Sequence, residues 1–181
     1  MKATGIVRRI DELGRIVIPK EIRRTFKIKE GTPLEIFCGE NDELVLKKYS
    51  MLFEIKDFAD EICSSLYQTL SMPVFICDKD KVISIFGVNK SLALNKPISN
   101  KLEKIIETRK DTIINKLDGE SVIELYDNEQ NEYFGQIIIP IIASGDTYGA
   151  IVCFNKQQGK VSITEKTVLK CMANFLAEQI A

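Results

Sequence analysis

Residues 8–24 read RRIDELGRIVIPKEIRR and hold five arginines, Arg8, Arg9, Arg15, Arg23 and Arg24. Between them lie an acidic turn, Asp11-Glu12-Leu13-Gly14, an apolar run, Ile16-Val17-Ile18, and Pro19. Gly14 supplies the positive φ of a tight reversal, so the flanking segments 4–10 and 15–18 read as two short strands. Ile16-Val17-Ile18 is apolar on both faces, which requires cover on both sides. Pro19 suits the first helical position, where its missing N–H would be unpaired in any residue. Ile22 and Phe26 put an apolar stripe on a short helix over 19–27, and Arg23 and Arg24 then face solvent. A closed hairpin brings Arg8 and Arg15 together. Arginine's planar fork of donors fits phosphate oxygens and the edge of guanine.

Charge is concentrated around this stretch. Residues 1–29 carry nine Lys/Arg against three Asp/Glu, whereas the whole 181-residue chain has a net charge of −1. Such asymmetry points to a nucleic-acid or anionic-surface contact at the N-terminus. The alternative is a solvated basic face with helical pairs such as Glu21–Arg24. The use of arginine rather than lysine favours the first reading.

Downstream, Leu34-Glu35-Ile36-Phe37 and Leu44-Val45-Leu46 form a second hairpin across Gly39-Glu40-Asn41-Asp42. The order is ββαββ in under fifty residues, too little to bury a comfortable core alone. Strands apolar on both faces predict a dimer with intimate strand contacts. From Met51 to Leu70 apolar residues recur at threes and fours. This is an amphipathic helix that either links and pairs with a neighbour or packs on the C-terminal domain. A hairpin over 74–77 and 82–86, a polar helix over 99–109, strands at 121–126, 132–141 and 147–155, and a last helix over 163–180 complete the chain. Ser162 and Glu165 have the spacing of a capping box, and Val168, Cys171, Met172, Phe175, Leu176 and Ile180 form the stripe of that helix. The fold class is α+β.

Several chemistries are excluded. The chain has no histidine and no CxxC pair, which removes histidine-dependent triads and argues against a structural zinc site. The five cysteines, Cys38, Cys63, Cys77, Cys153 and Cys171, are widely spaced and read as small buried hydrophobes in a reducing compartment. Asp78 and Asp80 lie in a turn and make too few ligands for a cation. No signal peptide and no apolar run of membrane-spanning length is seen. With no phosphate-binding GxxxxGK[ST] loop either, no enzymatic activity and no cofactor are expected.

The first fifty residues, with TGIVRRID, ELGRIVIPKEIRRT, LEIF and LVLKKYS in order, resemble the swapped-hairpin DNA-binding domain of the AbrB-type transition-state regulators. The resemblance implies that two chains interlock their hairpins into one dimeric β-barrel. It also implies that Arg8, Arg15, Arg23 and Arg24 contact double-stranded DNA, with Arg9 close by. The full chain resembles sporulation regulators that join this domain to a C-terminal GAF domain. Pro140-Ile141-Ile142-Ala143-Ser144-Gly145 followed by Tyr148-Gly149-Ala150-Ile151 is similar to the penultimate GAF hairpin. The expected organisation is a DNA-binding domain over 1–50, a linker helix over 51–71 and a GAF-like domain over 72–181. The resemblance further implies transcription regulation in the developing forespore, a cytoplasmic, nucleoid-associated location, and a homotetramer assembled through helices 51–70 and 163–180.

GAF domains bind small molecules over the sheet, and Phe75, Phe86, Tyr126, Tyr133, Phe134, Tyr148 and Phe154 are candidates to line such a pocket or to fill an ordinary core. Asn155-Lys156 matches the start of the cyclic-nucleotide motif, but the following QQGKVSITEKT lacks its Phe and Asp-Glu. The domain is thus either a sensor of a small-molecule effector or a scaffold. A rival class is an antitoxin-like or scaffold protein that uses the N-terminal domain mainly for protein–protein contacts.

Overall fold

The computed structural model describes residues 5–40, 42–127, 129 and 132–180. The chain divides into two compact units with the boundary between Tyr49 and Ser50.

In the first unit, Asp11 and Arg15 close the expected turn, with Asp11 N donating to Arg15 O at 3.0 Å and Gly14 N to Asp11 O at 2.9 Å. Gly14 takes φ +74°, as a reversal there requires. Helix α1 spans Lys20–Thr25. Strands β1, Leu34–Cys38, and β2, Leu44–Lys48, pair antiparallel with Leu34 opposite Lys48 and Cys38 opposite Leu44. The two strands expected at 4–10 and 15–18 do not form within one chain: residues 5–10 and 15–18 have no ladder, and residue 4 lies outside the described residues. The physical reason is pairing. A strand exists only against a neighbouring edge, and β1 and β2 pair with each other. Among the described residues of this unit none is buried.

The second unit is built on a five-stranded antiparallel sheet. Its strands are β3 Val74–Asp78, β4 Val82–Phe86, β5 Thr112–Asn115, β6 Gly135–Ala143 and β7 Asp146–Asn155, in the order β4-β3-β7-β6-β5. Side chains alternate along the strands to build two cores. Val74, Ile76, Ile137, Ile139, Ile151 and Cys153 face helices α3 (Lys56–Leu70) and α5 (Ile163–Gln179). Phe75, Cys77, Ile138, Val152 and Phe154 face α4 (Asn100–Glu107) and the loops beside it.

The helix expected over 51–70 is interrupted at Ile55. A short α2, Met51–Glu54, is capped by Ser50 Oγ, which accepts from Phe53 N at 3.3 Å, before α3 begins. The break seats Leu52, 1% exposed, against Gly149, where an added Cβ would meet Cys77 O at 1.9 Å. The capping box of α5 is present, with Ser162 N donating to Glu165 Oε2 at 2.9 Å. The buried stripe of α5 and its end is Leu169, Ala173, Leu176 and Ile180, so Leu176 and Ile180 of the expected stripe are buried and Val168 and Met172 pack at its edge. Cys171 and Phe175 are exposed instead, so the helix is apolar on two sides.

No strand forms over 121–126. That segment joins the fold at its end by an isolated bridge from Tyr126 to Ile98, and at its middle through the side chain of Gln136, fully buried on β6, which accepts from Ile123 N at 2.9 Å and donates to Ile123 O at 2.7 Å. An amide side chain thus satisfies the backbone that a neighbouring strand would have satisfied. The short edge strand β5 has no counterpart among the elements expected from periodicity. Its Asn115 makes the same kind of clamp, donating to Val161 O at 3.0 Å and accepting from Val161 N at 2.8 Å.

Candidate nucleic-acid interface

The turn that carries Arg15 is organised by one carboxylate. Asp11 Oδ1 accepts from Leu13 N at 3.0 Å and from Arg15 N at 2.8 Å, while Oδ2 accepts from Arg15 Nε at 2.8 Å. The Arg15 backbone N–H first, and its guanidinium second, hold the Asp11 carboxyl below the usual carboxylate range. Asp11 therefore fixes the base of the Arg15 side chain, which remains 70% exposed. Arg8 Nη1 donates to Val7 O at 3.1 Å.

Pro19 stands at the N-cap of helix α1, one position before the expected first helical one, and its carbonyl accepts from Arg23 N at 2.9 Å. It ends in a double closure, with Ile28 N donating to Arg23 O at 2.7 Å and Lys27 N to Arg24 O at 3.3 Å. Arg23 and Arg24 are consecutive on this short helix, and both are exposed. The Glu21–Arg24 pair of the solvated-face alternative is not formed, and no carboxylate among the described residues neutralises Arg8, Arg9, Arg23 or Arg24. Unpaired guanidinium groups held on a short, closed scaffold are a surface ready for phosphate oxygens and base edges.

Arg23 and Arg24 share an open depression of about 320 Å³ with Lys20, Lys27, Ile28 and Lys29. Arg8, Arg9 and Arg15 lie outside its lining. The lysines contribute to the charge balance of the first residues, but the sequence alone does not single them out, because their convergence depends on how the chain turns after α1.

The same unit leaves its apolar side chains uncovered. Val7 is 83% exposed, Leu13 74%, Val17 70% and Leu44 69%. That pattern is the opposite of a finished core.

In the second unit the candidate pocket aromatics mostly fill a core. Phe75, Tyr126, Tyr133 and Phe154 are at most 2% exposed, and the Tyr133 and Phe154 ring centroids are 4.8 Å apart. Tyr148 and Phe86 pack on the opposite face of the sheet. A shallow depression of about 270 Å³ remains beside Tyr133, lined by Lys116, Val122, Ile123, Glu124, Glu129 and Glu132. Burial pushes the thiols of Cys63 and Cys153 up to about 12 and raises that of Cys77 further, so all three are held as neutral thiols.

Residues 54–181 match the family described as stage V sporulation protein T C-terminal, transcription factor. Over its whole length the chain is 46% identical to stage V sporulation protein T of Bacillus subtilis (strain 168), covering 99% of each. The chain belongs to the stage V sporulation protein T family. Like that relative, it is a sporulation transcription regulator that joins an AbrB-like domain to a GAF-like one. Residues 7–52 match the family described as antidote-toxin recognition MazE, bacterial antitoxin. The transition state regulatory protein AbrB of the same organism is 57% identical over 49 residues, 27% of this chain and 50% of that protein. The GAF domain of an Acinetobacter phosphoenolpyruvate-protein phosphotransferase superposes with a TM-score of 0.60 at 14% identity, covering 74% of this chain and 84% of that one. That likeness establishes the GAF fold of the second unit.

Proposed function

We propose that the first unit grips double-stranded DNA as an interlocked dimer, with Arg8, Arg15, Arg23 and Arg24 as the contacting residues and Arg9 close by, and that the protein is not an enzyme. The observation that carries this reading is the coincidence, on one small unit, of unneutralised arginines and uncovered apolar side chains. A second copy covers the apolar residues, and in doing so it duplicates the arginines and sets their spacing. Phosphate contacts then fix position, and arginine contacts to base edges supply selectivity. Replacing Arg23 and Arg24 together by alanine tests it directly: specific DNA binding is lost while the dimer persists in sedimentation. Retained operator affinity in that variant would refute it.

The second unit assembles the protein. The exposed apolar side of α5 supports this, since Phe175 packs at a tilt against Phe58 of α3, 5.5 Å between ring centroids, with Phe175 still 43% exposed. Paired across two dimers, these helices make a tetramer. The antitoxin-like alternative is disfavoured because such proteins carry a toxin-wrapping tail where this chain carries a folded unit. An effector of the GAF domain is best sought by a thermal-shift screen of the full chain against metabolites. A regulator of this kind works in the cytoplasm, at the nucleoid where its DNA lies. No helix of the described residues is long and apolar enough to cross a membrane.

A further inference from the structure

Helix α1 ends on a lysine where the backbone favours glycine. Lys27 has φ +51°, in the left-handed region that is strained for a residue with a Cβ. The two closing bonds, Ile28 N to Arg23 O at 2.7 Å and Lys27 N to Arg24 O at 3.3 Å, are those of a Schellman closure. Glycine is the usual occupant of that position. Lys27 is exposed, so burial of its side chain does not explain its presence. Two residues on, Lys29 is held by a second tight turn, its N–H donating to Thr32 Oγ1 at 2.9 Å and its carbonyl accepting from Thr32 N at 3.1 Å. The chain thus turns twice, and both turns aim at the same place. Lys20, Arg23, Arg24, Lys27 and Lys29 line one open depression floored by Ile28.

We propose that this depression is a phosphate-binding subsite in which Lys27 and Lys29 grip the DNA backbone beside Arg23 and Arg24. The inference rests on the DNA-binding reading above and adds two residues and a role to it. Lysine is a compact charge on a flexible stem, suited to a phosphate and not to the bidentate reading of a base. The strain at Lys27 is therefore retained for affinity and contributes nothing to sequence choice. Each dimer presents two such subsites.

The test is fluorescence anisotropy of the full-length protein on two duplexes, one carrying a selected operator and one of mixed sequence, with salt varied from about 50 to 200 mM. Lys27→Gly removes two phosphate contacts per dimer, so the slope of log affinity against log salt becomes shallower by about 2. Affinity falls by the same factor on both duplexes, and the melting temperature stays level or rises because glycine relieves the strain. Lys27→Gln gives the same loss of slope without changing the backbone preference to glycine. Lys27→Gly with Lys29→Ala doubles the change to about 4. Unchanged slopes for all three, with binding still lost in Arg23→Ala plus Arg24→Ala, would overturn the subsite and leave the proposed function standing. Loss of discrimination between the duplexes, or a lowered melting temperature in Lys27→Gly, would also overturn it. If the double arginine variant binds normally as well, the DNA-binding reading itself falls.

Discussion

Truncating Val17 to alanine should dismantle the DNA-binding unit without touching a charge. Val17 is 70% exposed in the single chain and lies in the apolar run between the arginines. Removing two carbons costs about 1.6 kcal/mol when the site is fully covered, at about 0.8 kcal/mol per carbon. Scaling by the fraction that a partner chain can cover leaves about 1.1 kcal/mol per chain, and therefore about 2.2 kcal/mol per dimer. That corresponds to roughly a 40-fold weaker association. Hydrogen exchange read by mass spectrometry separates the two units. Amides of residues 5–49 should lose protection by roughly 40-fold, more at lower protein concentration, while those beyond residue 50 keep theirs. DNA affinity should fall in parallel although every arginine is present. Unchanged exchange in the first unit, or the same loss in both units, would refute the argument that the uncovered apolar face is an interface between chains.

Other outcomes rest on particular contacts. Because the Asp11 carboxyl is held below its ordinary value, its contribution to the turn is fully present above the unfolded value of about 4 and is lost as pH falls through the folded one. Asp11→Asn should therefore loosen the Arg15 turn at neutral pH and flatten the acid dependence of DNA binding, measured by anisotropy across that range. Gly149→Ala places a Cβ 1.9 Å from Cys77 O and 2.8 Å from Leu52 Cδ1, so thermal unfolding of the second unit should show a loss of about 1–3 kcal/mol or outright misfolding. Phe58→Ala with Phe175→Ala should turn the tetramer into dimers in light scattering, with the monomer fold intact by circular dichroism.

Much of the second unit is legible in the sequence because its strands are long apolar runs separated by turn residues. The β3–β4 hairpin, β6, β7 and α5 with its capping box all emerge from periodicity and local chemistry. The segment over 121–126 misleads because alternation alone does not say what pairs with the backbone, and here a distant buried amide, Gln136, does so. Strand β5 is invisible because four residues carry no period. In the first unit the arginines, the turn and the helix are readable. The apolar pattern over 4–10 and 15–18 does not say which chain supplies the pairing edge, and within a single chain those segments have none. Lys27 escapes a sequence reading because a left-handed backbone at a lysine has no signature in composition.

The most direct test of the central claim is the salt dependence of DNA binding by the wild-type protein and by Arg23→Ala plus Arg24→Ala. Eight arginines per dimer from Arg8, Arg15, Arg23 and Arg24 predict a slope of log affinity against log salt of about −7 from the arginines alone. The double variant, having lost four of them, should be shallower by about 3.6 and should lose operator selectivity. A wild-type affinity that does not change with salt, or a double variant with the wild-type slope, would contradict the account.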